Sequence, residues 1–308
     1  MNNLMEIEKQ YKAGRFSKRA YINLMHKRHL AFCEYLELIK NKNIASIEIN
    51  QDQIILKTKD GIRLICDPLD KRHIFKEILN FGDYESVELK MIKRFLKEDS
   101  VVLDIGANIG WYSINLSKSV PQGRIISFEP MPRTYDYLNM NINLNQMRNI
   151  KTYNIGLSNN AGYFSFYYNR NYTGATSLVD IIKEDNVVIV KCRVEKLDGF
   201  LMKTKIKRVD FIKCDVEGAE KFVIEGGLET IKRDKPIIFI ELLRKWSAKF
   251  NYHPNSVINI LNKNGYGCYI INKTKLKKII KITENTQHTN FCFLHLNKHS
   301  KLLSRLIR

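Results

Sequence analysis

The sequence predicts a doubly wound α/β protein, a parallel sheet covered by helices on both faces. Three features lead there. Short apolar runs between residues 101 and 296 are separated by segments with helical spacing of apolar positions, the way βαβ units read in a sequence. The runs are apolar at nearly every position, as in Val101-Val102-Leu103-Asp104-Ile105, which marks strands buried on both sides. A glycine-containing turn follows the first run directly, at the strand end where open α/β sheets bind ligands.

Residues 1–80 are expected to form an N-terminal extension of helices and a hairpin. Between Phe16 and Leu38 the helical spacing of Ile22, Met25, Leu30, Tyr35 and Leu38 predicts one or two helices that pack on something else. Ile54-Ile55-Leu56 and Ile62-Arg63-Leu64-Ile65 flank Asp60-Gly61, a hairpin signature that Pro68 closes. The main domain, 81–296, opens with an amphipathic helix through Val87, Leu89, Met91, Ile92 and Leu96. After the strand at 101–105 come helix 109–119, strand 124–128, helix 133–145 and strand 151–155. The second half reads as strand 209–214, helix 218–232, strand 236–241, helix 254–264 and strands near 267–271 and 290–296. Residues 160–194 interrupt the alternation with the β-rich runs 164–168 and 187–190, read as added strands around a loop that carries substrate contacts. Residues 297–308 form a basic C-terminal tail.

The 308 residues are 44% hydrophobic and 27% charged, a balance that excludes a disordered, fibrous or membrane-spanning chain. The start lacks the basic and apolar regions of a secretory leader. Six cysteines show no CxxC pair and no zinc-type spacing, so reduced thiols in a cytoplasmic protein are expected, with no metal site. The net charge is +19, and nine Lys or Arg against the single acid Glu284 lie between Lys273 and Arg308. Such a surface attracts anions, with an anionic membrane or a lipid-linked glycan among the candidate peripheral partners. His26 and His29 stand one turn apart without a third ligand, which reads as a solvated helix face.

The turn is Asp104-Ile105-Gly106-Ala107-Asn108-Ile109-Gly110, and Glu129 ends the next strand 23 positions after Gly106. Glycines let a ligand approach the main chain, and a carboxylate at the second strand end meets the hydroxyls of a ribose. The pattern is G-x-x-x-G rather than the G-x-G-x-x-G of dinucleotide sites, and an acid stands two residues before the first glycine. That acid repels a pyrophosphate and suits the ammonium and sulfonium charges of S-adenosylmethionine, the expected cofactor. Cofactor contacts are expected from Asp104, Gly106, Ala107, Asn108, Gly110, Glu129 and Pro130.

Residues 101–113 resemble the first motif of the FkbM-type S-adenosylmethionine-dependent methyltransferases. Ile126-Ser127-Phe128-Glu129-Pro130 is similar to that family's acidic second motif, and Asp215-Val216-Glu217-Gly218-Ala219-Glu220 to its D-x-E-G-x-E segment. Lys235-Pro236-Ile237-Ile238-Phe239-Ile240-Glu241 resembles the family's next strand, and the match runs from about Tyr84 to Phe293. The resemblance implies a class I methyltransferase sheet, Rossmann-like, of seven strands with the last antiparallel. It also makes Tyr172–Leu178 similar to a substrate-side loop.

Chemistry is expected at the ends of the later strands, from Lys213, Asp215, Glu217 and Glu241. A lysine on a buried strand needs a partner, either a carboxylate or the substrate. Methyl transfer to an alcohol needs a base, for which Asp215 is the first choice, its proton affinity raised by the neighbouring acid. Glu217 has two further readings, as a helix-cap acid or a metal ligand, and Glu241 as part of the acceptor pocket or the partner of a buried lysine. His253 is a weaker candidate base. The expected activity is O-methyl transfer to a hydroxyl of a sugar, a glycan precursor or a related small molecule. Alternatives are an RNA methyltransferase, a peptide side-chain N-methyltransferase and a non-catalytic binding protein.

Overall fold

The computed structural model describes residues 3–71, 73–169, 178 and 187–307. It begins with a helical hairpin, α1 (Leu4–Lys12) and α2 (Lys18–Ile39). The Asn3 and Ser17 side chains start these helices by accepting from the N–H groups of Glu6 and Ala20. Tyr11 stacks on Tyr21 with ring centroids 4.2 Å apart. Three antiparallel strands follow, β1 (Ile44–Ile49), β2 (Ile54–Thr58) and β3 (Arg63–Ile65). The hairpin around Asp60-Gly61 is the β2–β3 pair, and Gly61 supplies the left-handed turn residue with φ +77°. Helices α3 (Ile74–Phe81) and α4 (Ser86–Lys93) lead into the main sheet.

Its first half is β4 (Val101–Ile105), α5 (Trp111–Ser117), β5 (Arg124–Phe128), α6 (Pro132–Leu144) and β6 (Ile150–Tyr153). Then β7 (Gly156–Ser158), β8 (Gly162–Asn169) and β9 (Val187–Lys196) form a separate sheet in the order β7-β9-β8. The second half comprises α7 (Leu197–Lys203), β10 (Phe211–Cys214), α8 (Glu220–Gly226), α9 (Leu228–Asp234), β11 (Ile237–Glu241) and the short α10 (Arg244–Ser247). The chain continues with α11 (Asn255–Lys263), β12 (Tyr266–Asn272), β13 (Lys275–Ile279), β14 (Asn290–His295) and α12 (Ser300–Leu306).

The main sheet has eight strands in the order β13-β12-β14-β11-β10-β4-β5-β6. β11, β10, β4, β5 and β6 run parallel, and β14 is antiparallel to both of its neighbours. These are the seven strands expected, the last antiparallel, with β13 added as an antiparallel edge. The sheet is covered on both faces because its strands alternate between two cores. Val102, Phe211 and Phe239 pack into one, Leu103, Ile212 and Ile240 into the other.

The first core also takes in Leu56, Leu64, Phe75 and Ile78 from the N-terminal segment. The small sheet is tied down through α6: the Asn141 amide donates to the Ile109 carbonyl at 2.9 Å and accepts from Ile65 N–H at 2.9 Å. At the other end, α12 buries Leu303 and Leu306 in the same core, so the C-terminal segment spends its apolar side on the fold. The segment expected as one helix over 218–232 is two, broken at Gly226-Gly227. A Cβ on Gly226 would stand 2.1 Å from the Ser158 carbonyl oxygen, and one on Gly227 2.6 Å from Leu197 Cδ2. The two glycines let β7 and α7 approach that closely.

Candidate active site

The exit of β4 is shaped by steric necessity. Gly106 has φ +74°, and a Cβ there would lie 1.8 Å from the Asp215 carbonyl oxygen. Only glycine lets the ends of β4 and β10 meet. Asn108 takes a left-handed conformation (φ +49°) and Gly110 another (φ +93°), where a Cβ would press on Leu138 Cδ1 at 2.7 Å. Glu129 fastens this turn from β5. One carboxylate oxygen accepts from Asn108 N–H at 3.0 Å, the other from Met131 N–H at 3.1 Å. Burial pushes its acid up to about 7 against the opposing pull of those two bonds.

Asp104 and Lys213 face each other across the β4–β10 pair, which places them in register. The Lys213 ammonium is 3.7 Å from Asp104 and 3.4 Å from Asp215 and donates to the Gly106 carbonyl at 2.8 Å. Burial alone would lower its proton affinity, but Asp215, Asp104 and Glu85 together raise it. Asp104 is fully buried and accepts from Ser113 Oγ at 2.6 Å. Burial raises it, and Lys213 and Ser113 hold it down. Of the two partners considered for Lys213, the structure shows carboxylates. The pair sits behind the turn and pins its backbone from within the sheet.

Ahead of Lys213, carboxylate oxygens of Asp215, Glu217 and Glu241 lie within 4.8 Å of one another. Glu217 is pushed well above the ordinary carboxylate range by burial first, then by Asp215 and Glu220. Glu241 is raised in the same way by burial, Asp215 and Glu217. Chemically, three such oxygens serve for proton exchange with a hydroxyl or for a hard cation. Glu217 itself has φ +53° and lies outside α8. No side chain caps α8; Glu220 instead closes the turn before it, its Oε1 accepting from Val216 N–H at 3.1 Å and Gly218 N–H at 3.0 Å. Its other oxygen meets Tyr252 Oη at 3.2 Å, while that hydroxyl donates to the Gly218 carbonyl at 2.7 Å. The tyrosine hydroxyl is the donor in both contacts, and burial pushes the Glu220 acid up to about 7 against the pull of the backbone bonds it accepts.

These residues open on a cavity bounded by Gly106, Asn108, Glu129, Pro130, Asp215 and Glu217, with apolar walls that include Ile155 and Phe166. The lining described contains three carboxylates and no Lys or Arg. Of the expected cofactor residues, Gly106, Asn108, Glu129 and Pro130 border the cavity; Asp104, Ala107 and Gly110 shape the turn from behind. Leu178 also borders it, whereas 172–177 of the loop expected on the substrate side lie outside the described residues. His253 is exposed and accepts from Asn255 N–H at 3.2 Å, away from the cavity. Sequence reading missed a second arm of the site. Tyr84 reaches the cavity, and Glu85 (φ +48°) accepts from Tyr112 Oη at 2.6 Å and from the Asn290 amide at 3.0 Å. No spacing in the sequence connects 85, 112 and 290.

A sheet of this order, with a glycine turn, an acid at the second strand end and acids at the fourth and fifth, defines a methyltransferase of the S-adenosylmethionine-dependent class. Residues 104–268 match the Methyltransferase FkbM domain, and the chain belongs to that family. Methyltransferase sdnD of Sordaria araneosa is 28% identical over 186 residues, covering 51% of this chain and 69% of that protein. The 2-O-methyltransferase NoeI of Sinorhizobium fredii is 25% identical over 165 residues, covering 48% and 66%. Among solved structures, the FkbM methyltransferase of Methylobacillus flagellatus KT aligns with a TM-score of 0.43 and 15% identity, over 65% of this chain and 44% of that one.

Proposed function

We propose that the cavity holds S-adenosylmethionine and that the protein methylates a hydroxyl of a sugar, a glycan precursor or a related small molecule. The observation that carries this is the charge of the lining, three carboxylates without a Lys or Arg among the described residues. Such a lining disfavours a phosphate-bearing nucleotide and favours a cationic one. Glu129 would accept from the ribose hydroxyls, its two oxygens each keeping a lone pair beyond the backbone bonds. The cofactor supplies an electrophilic methyl group on a positively charged sulfur.

The chain's own contribution is positioning and proton removal. Lys213 holds the Gly106 carbonyl and faces Asp215, fixing the floor of the site. Glu217 borders the cavity and has a raised proton affinity, so the base is assigned to Glu217 in preference to Asp215. Asp215 supplies the charge that tunes Glu217 and Glu241. Transfer to oxygen accords with the name of the NoeI relative, and the net charge of +19 with an acidic or lipid-linked glycan. Six free cysteines accord with a cytoplasmic setting.

The test is incubation with methyl-labelled S-adenosylmethionine and separate pools of glycans, peptides and RNA. Label in the glycan pool as an O-methyl ether is the expected result, and label confined to RNA or peptide overturns the acceptor. Glu217→Gln should lower turnover by roughly 10²–10⁴-fold while S-adenosylhomocysteine affinity changes only a few-fold. Retained turnover would remove Glu217 as the base.

A further inference from the structure

Helix α2 has 22 residues and buries none of them, although a helix of this length in a globular protein normally buries an apolar stripe. Its second half is exposed throughout 29–38. That half carries Phe32 (59% exposed), Tyr35 (45%) and Leu36 (59%). With Ile39 they stand at i, i+3, i+4 and i+7, the spacing of an anchor set on one helix face. The same four residues form one wall of an apolar groove of about 360 Å³. Its floor comes from β1 and β2, where Ile49 is 62% and Ile54 38% exposed, and its far wall from α3. α2 is thus both a wall of the groove and a segment with the pattern of something that fills one.

Charge along α2 is divided. Residues 18–28 hold Lys18, Arg19, Lys27 and Arg28 and no acid, and residues 29–39 hold Glu34 and Glu37 and no Lys or Arg, with Lys40 at the helix end paired to Glu37. Two such helices laid antiparallel bring each basic half beside an acidic one, whereas a parallel pair stacks like on like. Packed helices lie about 8–10 Å apart, comparable to the roughly 8 Å screening length at physiological salt, so the preference is strongest at low salt. Glu34 at the exposed end counts against an anionic bilayer as the cover.

We infer that this groove is the self-association surface of the protein. A second copy lies antiparallel across it, the two-fold axis passing near Phe32, so that each copy sets Phe32 and Leu36 into the groove of the other. A shared patch of this kind is isologous, residue i meeting j and j meeting i. At about 200 Å² for a full large side chain, the exposed fractions of Phe32, Tyr35, Leu36, Ile49 and Ile54 amount to roughly 500 Å² of apolar surface per copy. A stable interface buries about 800 Å² per partner, a little over half of it apolar. The patch is the size a dimer needs.

The test is the mass of the full chain in solution by light scattering and sedimentation, across a dilution series. Twice the 36.2 kDa of the chain is expected. Leu36→Glu should weaken association by at least about 30-fold, the scale of a central hot spot, with an unchanged circular dichroism spectrum because Leu36 is exposed in the single chain. Glu34→Lys/Glu37→Lys should weaken association at low salt and not at high salt, and adding Lys27→Glu/Arg28→Glu, the basic pair that the axis near Phe32 sets beside Glu37, should restore it. A chain that stays monomeric at about 100 µM, two decades above a micromolar interface, overturns the inference. So does a dimer indifferent to Leu36→Glu, or a monomer that co-sediments with phosphatidylglycerol vesicles through the same residues.

Discussion

Glu129 holds the glycine turn in place and points into the cavity, so its ionisation should govern cofactor affinity. The carboxylate accepts from two backbone N–H groups and titrates at about 7 because of burial. The ionised form is the stronger acceptor for ribose hydroxyls, so affinity is present above pH 7 and is lost as pH falls through it. The ionised fraction drops from about one half at pH 7 to about one tenth at pH 6, and the apparent Kd rises as its inverse. Calorimetry with S-adenosylhomocysteine should therefore show about fivefold weaker binding at pH 6 than at pH 7, approaching tenfold per unit below that. The floor is the loss of a charged hydrogen bond, about 1.5–3 kcal/mol or roughly 10–150-fold. Glu129→Gln should lie at that floor at pH 8 and lack this component of the pH dependence. Glu217 and Glu241 titrate in both proteins, so the difference between the two curves belongs to residue 129. Wild-type affinity that is flat with pH, or a Gln variant that binds like wild type, would refute the assignment.

Two further predictions concern the support of the site. Lys213→Met leaves Asp104 buried with Ser113 as its remaining donor, and loss of one partner of a buried ion pair costs about 3–5 kcal/mol. Urea unfolding should show that loss at pH 8 and a smaller one at pH 5, where Asp104 can take up a proton; equal loss at both values would dissociate Asp104 from the effect. Glu220 keeps its ordinary acidity of 4.5 when unfolded and titrates at about 7 when folded. It therefore favours the folded state fully below pH 4.5, a contribution of about 3 kcal/mol that disappears as pH rises through 7. Glu220→Gln retains one oxygen for Val216 and Gly218 and an amide for Tyr252, so its thermal midpoint should exceed wild type at pH 8 and approach it at pH 5. A variant less stable than wild type at pH 8 would mean that folding does not raise the proton affinity of Glu220.

The sheet was legible because β4, β5, β10 and β11 are apolar on both faces, and such runs have few other uses. The chain breaks were less so. Gly226-Gly227 carried the signal that ends α8, but it fell within a helical pattern, and the reason for it lies in Ser158 and Leu197, far away in sequence. Strand β1 went unread because its burial is irregular and its partner β2 had already been paired with β3. In the site, Gly106, Asn108 and Glu129 could be placed from a turn and a strand end, both local features. The buried lysine was legible from alternation on a strand, though the identity of its partners was not. Glu220 stood in plain view within the D-x-E-G-x-E run, yet its bonds depend on the left-handed turn at Glu217 and Gly218 and on the distant Tyr252. The Glu85, Tyr112 and Asn290 arm is wholly a product of tertiary packing.

The carboxylates also explain one another. Asp104, Asp215, Glu217, Glu220, Glu241 and Glu85 cluster at the strand ends near Lys213, the one buried lysine among the described residues, and the structure eases this excess in three ways. Asp104 and Asp215 share Lys213. Glu85 takes hydrogen bonds from Tyr112 and Asn290. Glu217, Glu220 and Glu241 have raised proton affinities, burial being the largest cause in each. Only the first fixes charge permanently; the last leaves protons whose affinity depends on what else enters the cavity. A cation arriving there lowers the cost of ionising Glu217 and Glu241, and its departure restores it. With the cofactor bound as proposed, the arrangement would couple its charge to the basicity of the residues beside it. If Glu217 is the base as proposed, such a coupling would serve it, because its proton affinity would be lower beside a bound cation and higher once that charge is gone.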